Sequence, residues 1–201
     1  MTNISLPSTL KIIDNWGFEH CRSLASIDLP SGLEAINHYV FNDCDALTSV
    51  EIPNNVTTLG YMAFNDCGNL RTVVLSNSLT SLSGSLFRGD TNLTSVTIHE
   101  GVTTIENDAF NGCTNLQTIT LPNSLKTIGN SAFNYCTNFS SVTIPDNVTS
   151  LGSSSFAHTK LSSINIPSKV TSIYAYAFSD CNNLTDVTFA DPENWKAGKN
   201  N

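Results

Sequence analysis

The chain has 201 residues and a formal net charge of -8, and its nine Lys and Arg are scattered, so it lacks the clustered basic surface that nucleic acid requires. No apolar run approaches the roughly 18 residues of a membrane span, and the opening MTNISLPSTLK has neither the basic nor the apolar region of a secretory signal. The six Cys include no C-x₂₋₄-C pair, which argues against a zinc site.

A frame recurs along the chain. Its Phe falls at Phe18, Phe41, Phe64, Phe87, Phe110, Phe133, Phe156 and Phe178, six intervals of 23 residues and a last one of 22. Each repeat opens on an apolar triplet: Met1/Ile4/Leu6, then Leu24/Ile27/Leu29, and so on to Leu184/Val187/Phe189. The V-x-I alternation places two branched side chains on one face of a short strand. Stacking nine such strands predicts a parallel sheet rising about 4.8 Å per coil, roughly 40 Å in all. Pro follows most strands, as at Pro7, Pro30 and Pro53, where its missing N–H suits a strand end.

A second apolar pair comes next, as in Leu10/Ile13 or Leu125/Ile128, spaced by Thr and Ser. It is expected as an extended segment on the opposite wall. The A-F-x-x-C stretch after it can turn all three side chains inward if it makes one helical or 3₁₀ turn, with the Phe rings stacked as a spine. Asp90 and Thr159 stand where other copies carry Cys, and the copy at Phe156 is one residue short.

A fixed period of this length, with L-x-x-V-x-I triplets, marks a leucine-rich-repeat solenoid. The predicted fold is an α/β-type but mostly β solenoid, a right-handed superhelix of about eight 23-residue coils with a parallel sheet on one face. Residues 1–189 form the solenoid, and the polar stretch 190–201, with Trp195, is a tail or partial cap. A first strand with no cap exposes a sheet edge and an open core. It predicts either an upstream segment or self-association through the N-terminal end.

The frame L-x-x-I-x-x-x-A-F-x-x-C-x-x-L-x-x-V-x-I-P resembles the BspA-type leucine-rich repeat. Its distinguishing A-F-x-x-C element stands at Phe18/Cys21, Phe41/Cys44, Phe64/Cys67, Phe110/Cys113, Phe133/Cys136 and Phe178/Cys181. The resemblance implies a cell-surface or extracellular protein that adheres to a protein partner, such as a host extracellular-matrix or cell-surface protein. It implies no catalytic residues, because the motif is wholly structural. The sequence itself shows no signal or anchor.

Neighbouring coils would bring Cys Cα atoms about 5 Å apart, inside the disulfide range. A ladder of buried thiols is the preferred reading, since Asp90 and Thr159 interrupt the series. His20, His38, His99 and His158 occupy different repeat positions and suggest no metal or nucleophile set. No enzyme activity, cofactor or metal is expected. Six N-x-[ST] sequons begin at Asn3, Asn55, Asn92, Asn138, Asn147 and Asn183. The Asn slot before the apolar triplet reads more simply as a buried turn cap.

Two sets of residues vary where the fold does not need them. Outward strand positions form a hydroxyl-rich face with acid at Asp28 and Glu51, either a binding face or a solvated β surface. The slot two before Phe reads Trp16, Tyr39, Met62, Ser85, Asp108, Ser131, Ser154, Tyr176. Its first three members would form an apolar stripe flanked by His38 and Tyr61, either a contact site or half-buried wall packing. The expected function is a non-enzymatic binding module using Trp16, Tyr39 and Met62, with Asp28 and Glu51 contributing. The alternative is a structural spacer that displays other domains. A carbohydrate-binding sheet face would want aromatics there, and that face has none.

Overall fold

Alternating branched residues drive the first wall. In the computed structural model, which describes residues 3–191, strands run Asn3–Ser5, Ser26–Asp28, Ser49–Glu51, Thr72–Val74, Ser95–Thr97, Ser163–Ile166 and Asp186–Phe189. They pair in parallel with a neighbouring coil, Ile4 beside Ile27, Val50 beside Val73, Val73 beside Val96 and Ile164 beside Val187. A lone parallel bridge joins Thr118 to Ser141. In the four strands between Ser26 and Thr97 the middle residue is buried and both flanks are exposed, as a period of two requires.

The opposite wall is also a parallel sheet, which adds a second ladder to the single sheet expected. Its two-residue strands align Ile13, Ile36 and Leu59 in one row, and Leu82, Ile105, Ile128, Leu151 and Ile173 in another.

The third side corrects an expectation. No described residue of the A-F-x-x-C stretch is helical. The chain instead makes overlapping turns with positive φ two residues before and two after Phe, for example Trp16 at 59° and His20 at 57°. This alternation turns three peptide N–H groups per coil along the solenoid axis. Trp16, Phe18 and His20 donate to the carbonyls of His38, Val40 and Asn42 at 3.0, 2.9 and 2.8 Å. The same trio repeats at every step, ending with Ser154, Phe156 and His158 donating to Ala175, Ala177 and Ser179. A helical turn would aim its N–H groups back at its own carbonyls. Alternating φ aims them at the next coil, so coils are hydrogen-bonded to one another on all three sides.

The Phe spine is present. Successive rings lie 5.1–5.9 Å apart, within the range of favourable stacking. Phe41 through Phe156 are fully buried, while the end rings Phe18 and Phe178 are only partly covered. Phe139, in a Leu slot, stacks on Phe133 at 5.1 Å and adds volume beside the shortened coil.

All six Cys are free thiols. Besides filling volume, they make hydrogen bonds. Cys44, Cys67, Cys113 and Cys136 each donate Sγ–H to the carbonyl of the Phe 26 residues earlier, at 3.0–3.2 Å. Cys181 reaches Phe156 across the shortened coil at 3.0 Å. Thr159, in the Cys slot, donates to Phe156 O at 2.8 Å.

The Asn slot before the triplet does cap turns of the preceding coil, since Asn69, Asn92 and Asn138 donate to the carbonyls of Asp45, Gly68 and Thr114. It is not buried, because Asn69, Asn115 and Asn183 are exposed and Asn92 and Asn138 half-buried. The tail expected over 190–201 falls, from residue 192 with Trp195, outside the described residues. No helix of the described residues is long and apolar enough to cross a membrane.

Candidate binding surface

The aromatic stripe sits on backbone that bulky residues rarely adopt. Trp16, Tyr39 and Met62 have φ of 59°, 58° and 56°. A left-handed conformation costs an L-residue roughly 1–2 kcal/mol, and the cost is relieved mainly for Gly, Asn and Asp. Ser85, Asp108, Ser131 and Ser154 fill the same slot in four other coils, so the fold does not demand an aromatic there.

Trp16 is 57% exposed, and its ring stacks on Tyr39 at 6.2 Å and 17°. Tyr61 meets Tyr39 edge-on at 5.7 Å and 77°, which extends the platform to a third coil. Met62 is half-buried, and Tyr61 takes the place expected for it in the run of rings. His38 holds the three coils in register. Its carbonyl accepts from the Trp16 N–H, and its Nδ1 accepts from the Tyr61 N–H at 2.9 Å.

That His38 bond belongs to a ladder at the slot three before Phe. Asn15 Oδ1 accepts from His38 N–H, Asn107 Oδ1 from Asn130 N–H, and Asn130 Oδ1 from Ser153 N–H, at 2.8–3.0 Å. The Asn and His of this column serve as backbone acceptors, a role legible in sequence only as a recurrence of side chains able to accept.

Asp28 and Glu51 lie elsewhere. Both are exposed on the first wall and line one shallow depression of about 600 Å³ with Ser26, Ser49 and Asn54. Trp16, Tyr39 and Met62 sit at the corner beyond the second wall and do not line it. The two predicted sets therefore do not form one site.

The slot two after Phe was not singled out from sequence, although its Asp, His and Gly content is typical of left-handed backbone. There the Arg22 guanidinium and His20 Nδ1, at 2.8 Å, both bind Asp43. Arg22, and secondarily His20, hold the Asp43 carboxyl below the usual carboxylate range. At the other end Tyr135 stacks on His158 at 4.1 Å, and Tyr176 is 74% exposed. Among the described residues no group of three His, Cys, Asp or Glu converges as a metal site.

The sequence profile described as the BspA type leucine rich repeat region, in six copies, matches residues 1–117 and 103–197. The chain belongs to the BspA-type leucine-rich-repeat family. Among solved structures, it is similar to a leucine-rich repeat protein from Bacteroides ovatus, at 27% identity and a TM-score of 0.71, over 98% of this chain and 62% of that one. A leucine-rich repeat protein from Eubacterium ventriosum matches at 30% identity and a TM-score of 0.76, over 80% of this chain and 44% of that one. A leucine rich cell surface protein from Faecalibacterium prausnitzii matches at 25% identity and a TM-score of 0.64, over 96% of this chain and 61% of that one. The chain thus spans less than two thirds of the length of each. A search of the curated proteins finds no match. BspA-type solenoids are generally non-enzymatic, and the fold is that of a binding or scaffold module.

Proposed function

We propose that this BspA-type solenoid is a cell-surface adhesion module that grips a protein partner through Trp16 and Tyr39. The observation that carries the reading is a pre-stacked aromatic pair, Trp16 exposed and Tyr39 half-buried, on left-handed backbone that four other coils fill with Ser or Asp. The fold needs the left-handed backbone at this slot but not a bulky aromatic upon it, which points to function, and contact hot spots favour Trp and Tyr. Stacking before binding also lowers the side-chain entropy lost on contact. Tyr61 widens the platform and Met62 borders it, while Asp28 and Glu51 offer a separate acidic contact on the sheet. Display at the cell surface is favoured by the description of the Faecalibacterium neighbour. Self-association is a secondary reading for the N-terminal end, where Ile4, Leu6, Leu10 and Phe18 are only partly buried.

The test is adhesion to a panel of extracellular-matrix proteins. Trp16→Ser/Tyr39→Ser should lose binding and Asp28→Asn/Glu51→Gln should weaken it, and both should keep parental unfolding temperatures. If both variants bind as the parent does, or the parent binds nothing, the chain is a structural spacer.

A further inference from the structure

The acceptor ladder at the slot three before Phe breaks in the middle of the molecule. The Tyr61 side chain does not accept from the next coil, and the Gly84 N–H is taken from the other side by Glu106 Oε2 at 2.9 Å. Gly84 has no side chain at all, so the Asn107 N–H one coil later finds no protein acceptor among the described residues. Ala175 is the other unmatched N–H of the column.

At this break lies a depression of about 460 Å³, with Tyr61 as one wall and Gly84, Glu106, Asn107, Asp108 and Thr127 around it. The missing Gly84 side chain helps make the space, for a Cβ built there would lie 3.3 Å from the Tyr61 ring and 3.4 Å from Asn107 O. The Tyr61 ring is 40% exposed. Glu106 Oε1 and Asp108 Oδ2 have no protein donor, their partner oxygens being used by Gly84 N–H and Asn111 Nδ2.

We infer that this depression is a subsite for a neutral saccharide ring. The open Asn107 N–H offers a donor beside the Tyr61 ring, while the free Glu106 and Asp108 oxygens offer acceptors. A sugar hydroxyl serves as both. An ammonium group only donates, and would leave the Asn107 N–H unmatched. An anion would meet two carboxylates. The Tyr61 ring supplies the flat apolar face on which the C–H face of a pyranose lies, and the few polar groups around it would fix the orientation of its hydroxyls. The subsite stands on the turn edge rather than on the sheet face, and it shares the Tyr61 ring with the Trp16/Tyr39 platform.

The experiment is a titration of the full chain, followed by the amide resonances of Tyr61, Gly84 and Asn107. The probes are glucose, galactose, N-acetylglucosamine and their β-linked oligomers. A dissociation constant near 1 mM is expected for so shallow a site. Gly84→Asn supplies the acceptor found at Asn15 and Asn107 and fills the space, so it should keep parental stability and lose the response. Tyr61→Ala should weaken it at least tenfold. A second arm compares a soluble polysaccharide with a glycoprotein before and after enzymatic removal of its glycans, which tells a free polymer from a protein-borne chain. The inference is overturned if no sugar moves these amides up to roughly 50 mM, some fiftyfold above that affinity. A response that survives unchanged in Gly84→Asn overturns it equally. Retention of the sugar response in Trp16→Ser/Tyr39→Ser separates this site from the proposed adhesive pair.

Discussion

The backbone N–H of Cys67 donates a 2.7 Å hydrogen bond to Oδ1 of Asp90, which stands one coil later in the slot that most other copies give to Cys. Asp90 is fully buried, and its Oδ2 has no partner as a carboxylate. It follows Phe64 by 26 residues, the spacing at which each Cys thiol of the regular coils donates to a Phe carbonyl. A proton on Oδ2 would give Asp90 the donor that the thiol supplies elsewhere. Burial pushes the Asp90 carboxyl well above its ordinary range, partly offset by the Cys67 N–H.

The first prediction follows from that proton. A carboxyl with a raised folded value contributes its full stability below the unfolded value, near pH 4, and loses it as the pH climbs toward the folded value. The loss amounts to about 1.4 kcal/mol per pH unit in that window. Asp14, Asp43 and Glu100 act in the opposite sense, because Asn37, Arg22 and the Asn123 N–H respectively hold them low, and their stability is lost on acidification. Denaturant unfolding of the parent and of Asp90→Asn, compared from pH 4 to 8, isolates the Asp90 share. The parent should lose stability relative to Asp90→Asn as pH rises, and Asp90→Cys should exceed the parent at pH 7 by more than roughly 1 kcal/mol. Parallel pH profiles for parent and Asp90→Asn would show that Asp90 is not held protonated.

The Phe spine yields a graded prediction. Phe110 is fully buried between Phe87 and Phe133, at 5.5 and 5.2 Å, so Phe110→Ala should cost about 3–5 kcal/mol through the cavity it leaves. Among the described residues Phe18 has a ring neighbour on one side only, and it is partly exposed, so Phe18→Ala should cost clearly less. Equilibrium unfolding of the two variants checks the order, and equal losses would mean that the spine is not a stack with open ends.

The thiols give a third. Burial raises the Cys44 thiol to about 12 and pushes Cys67, Cys113 and Cys136 up as well, which removes the reactive thiolate at neutral pH. Native protein should react slowly with a thiol reagent, the half-buried Cys21 first. Denatured protein never exposed to reductant should then titrate close to all six thiols. Two or fewer would mean that bridges join the coils.

The period itself carried the coil count, the Phe spine, the buried thiols and the faces of the first-wall strands, because each depends on which side chains recur at fixed spacing. Phe18 to Phe178 can be read as a spine before any coordinate is known, since a 23-residue step stacks like on like. What the period could not supply was backbone direction. Whether A-F-x-x-C turns as a helix or alternates φ depends on where its N–H groups find acceptors, and those acceptors lie on the next coil. Trp16 and Tyr39 were legible as a stripe because they share a slot. The rise of Tyr61 over Met62 was not, because it depends on which way two adjacent side chains leave a left-handed corner. The open N–H of Asn107 depended on Gly84 one coil earlier, and His38 became an acceptor only because Tyr61 N–H lies one coil later. Local repetition therefore fixed the core, while contacts between coils decided the surface.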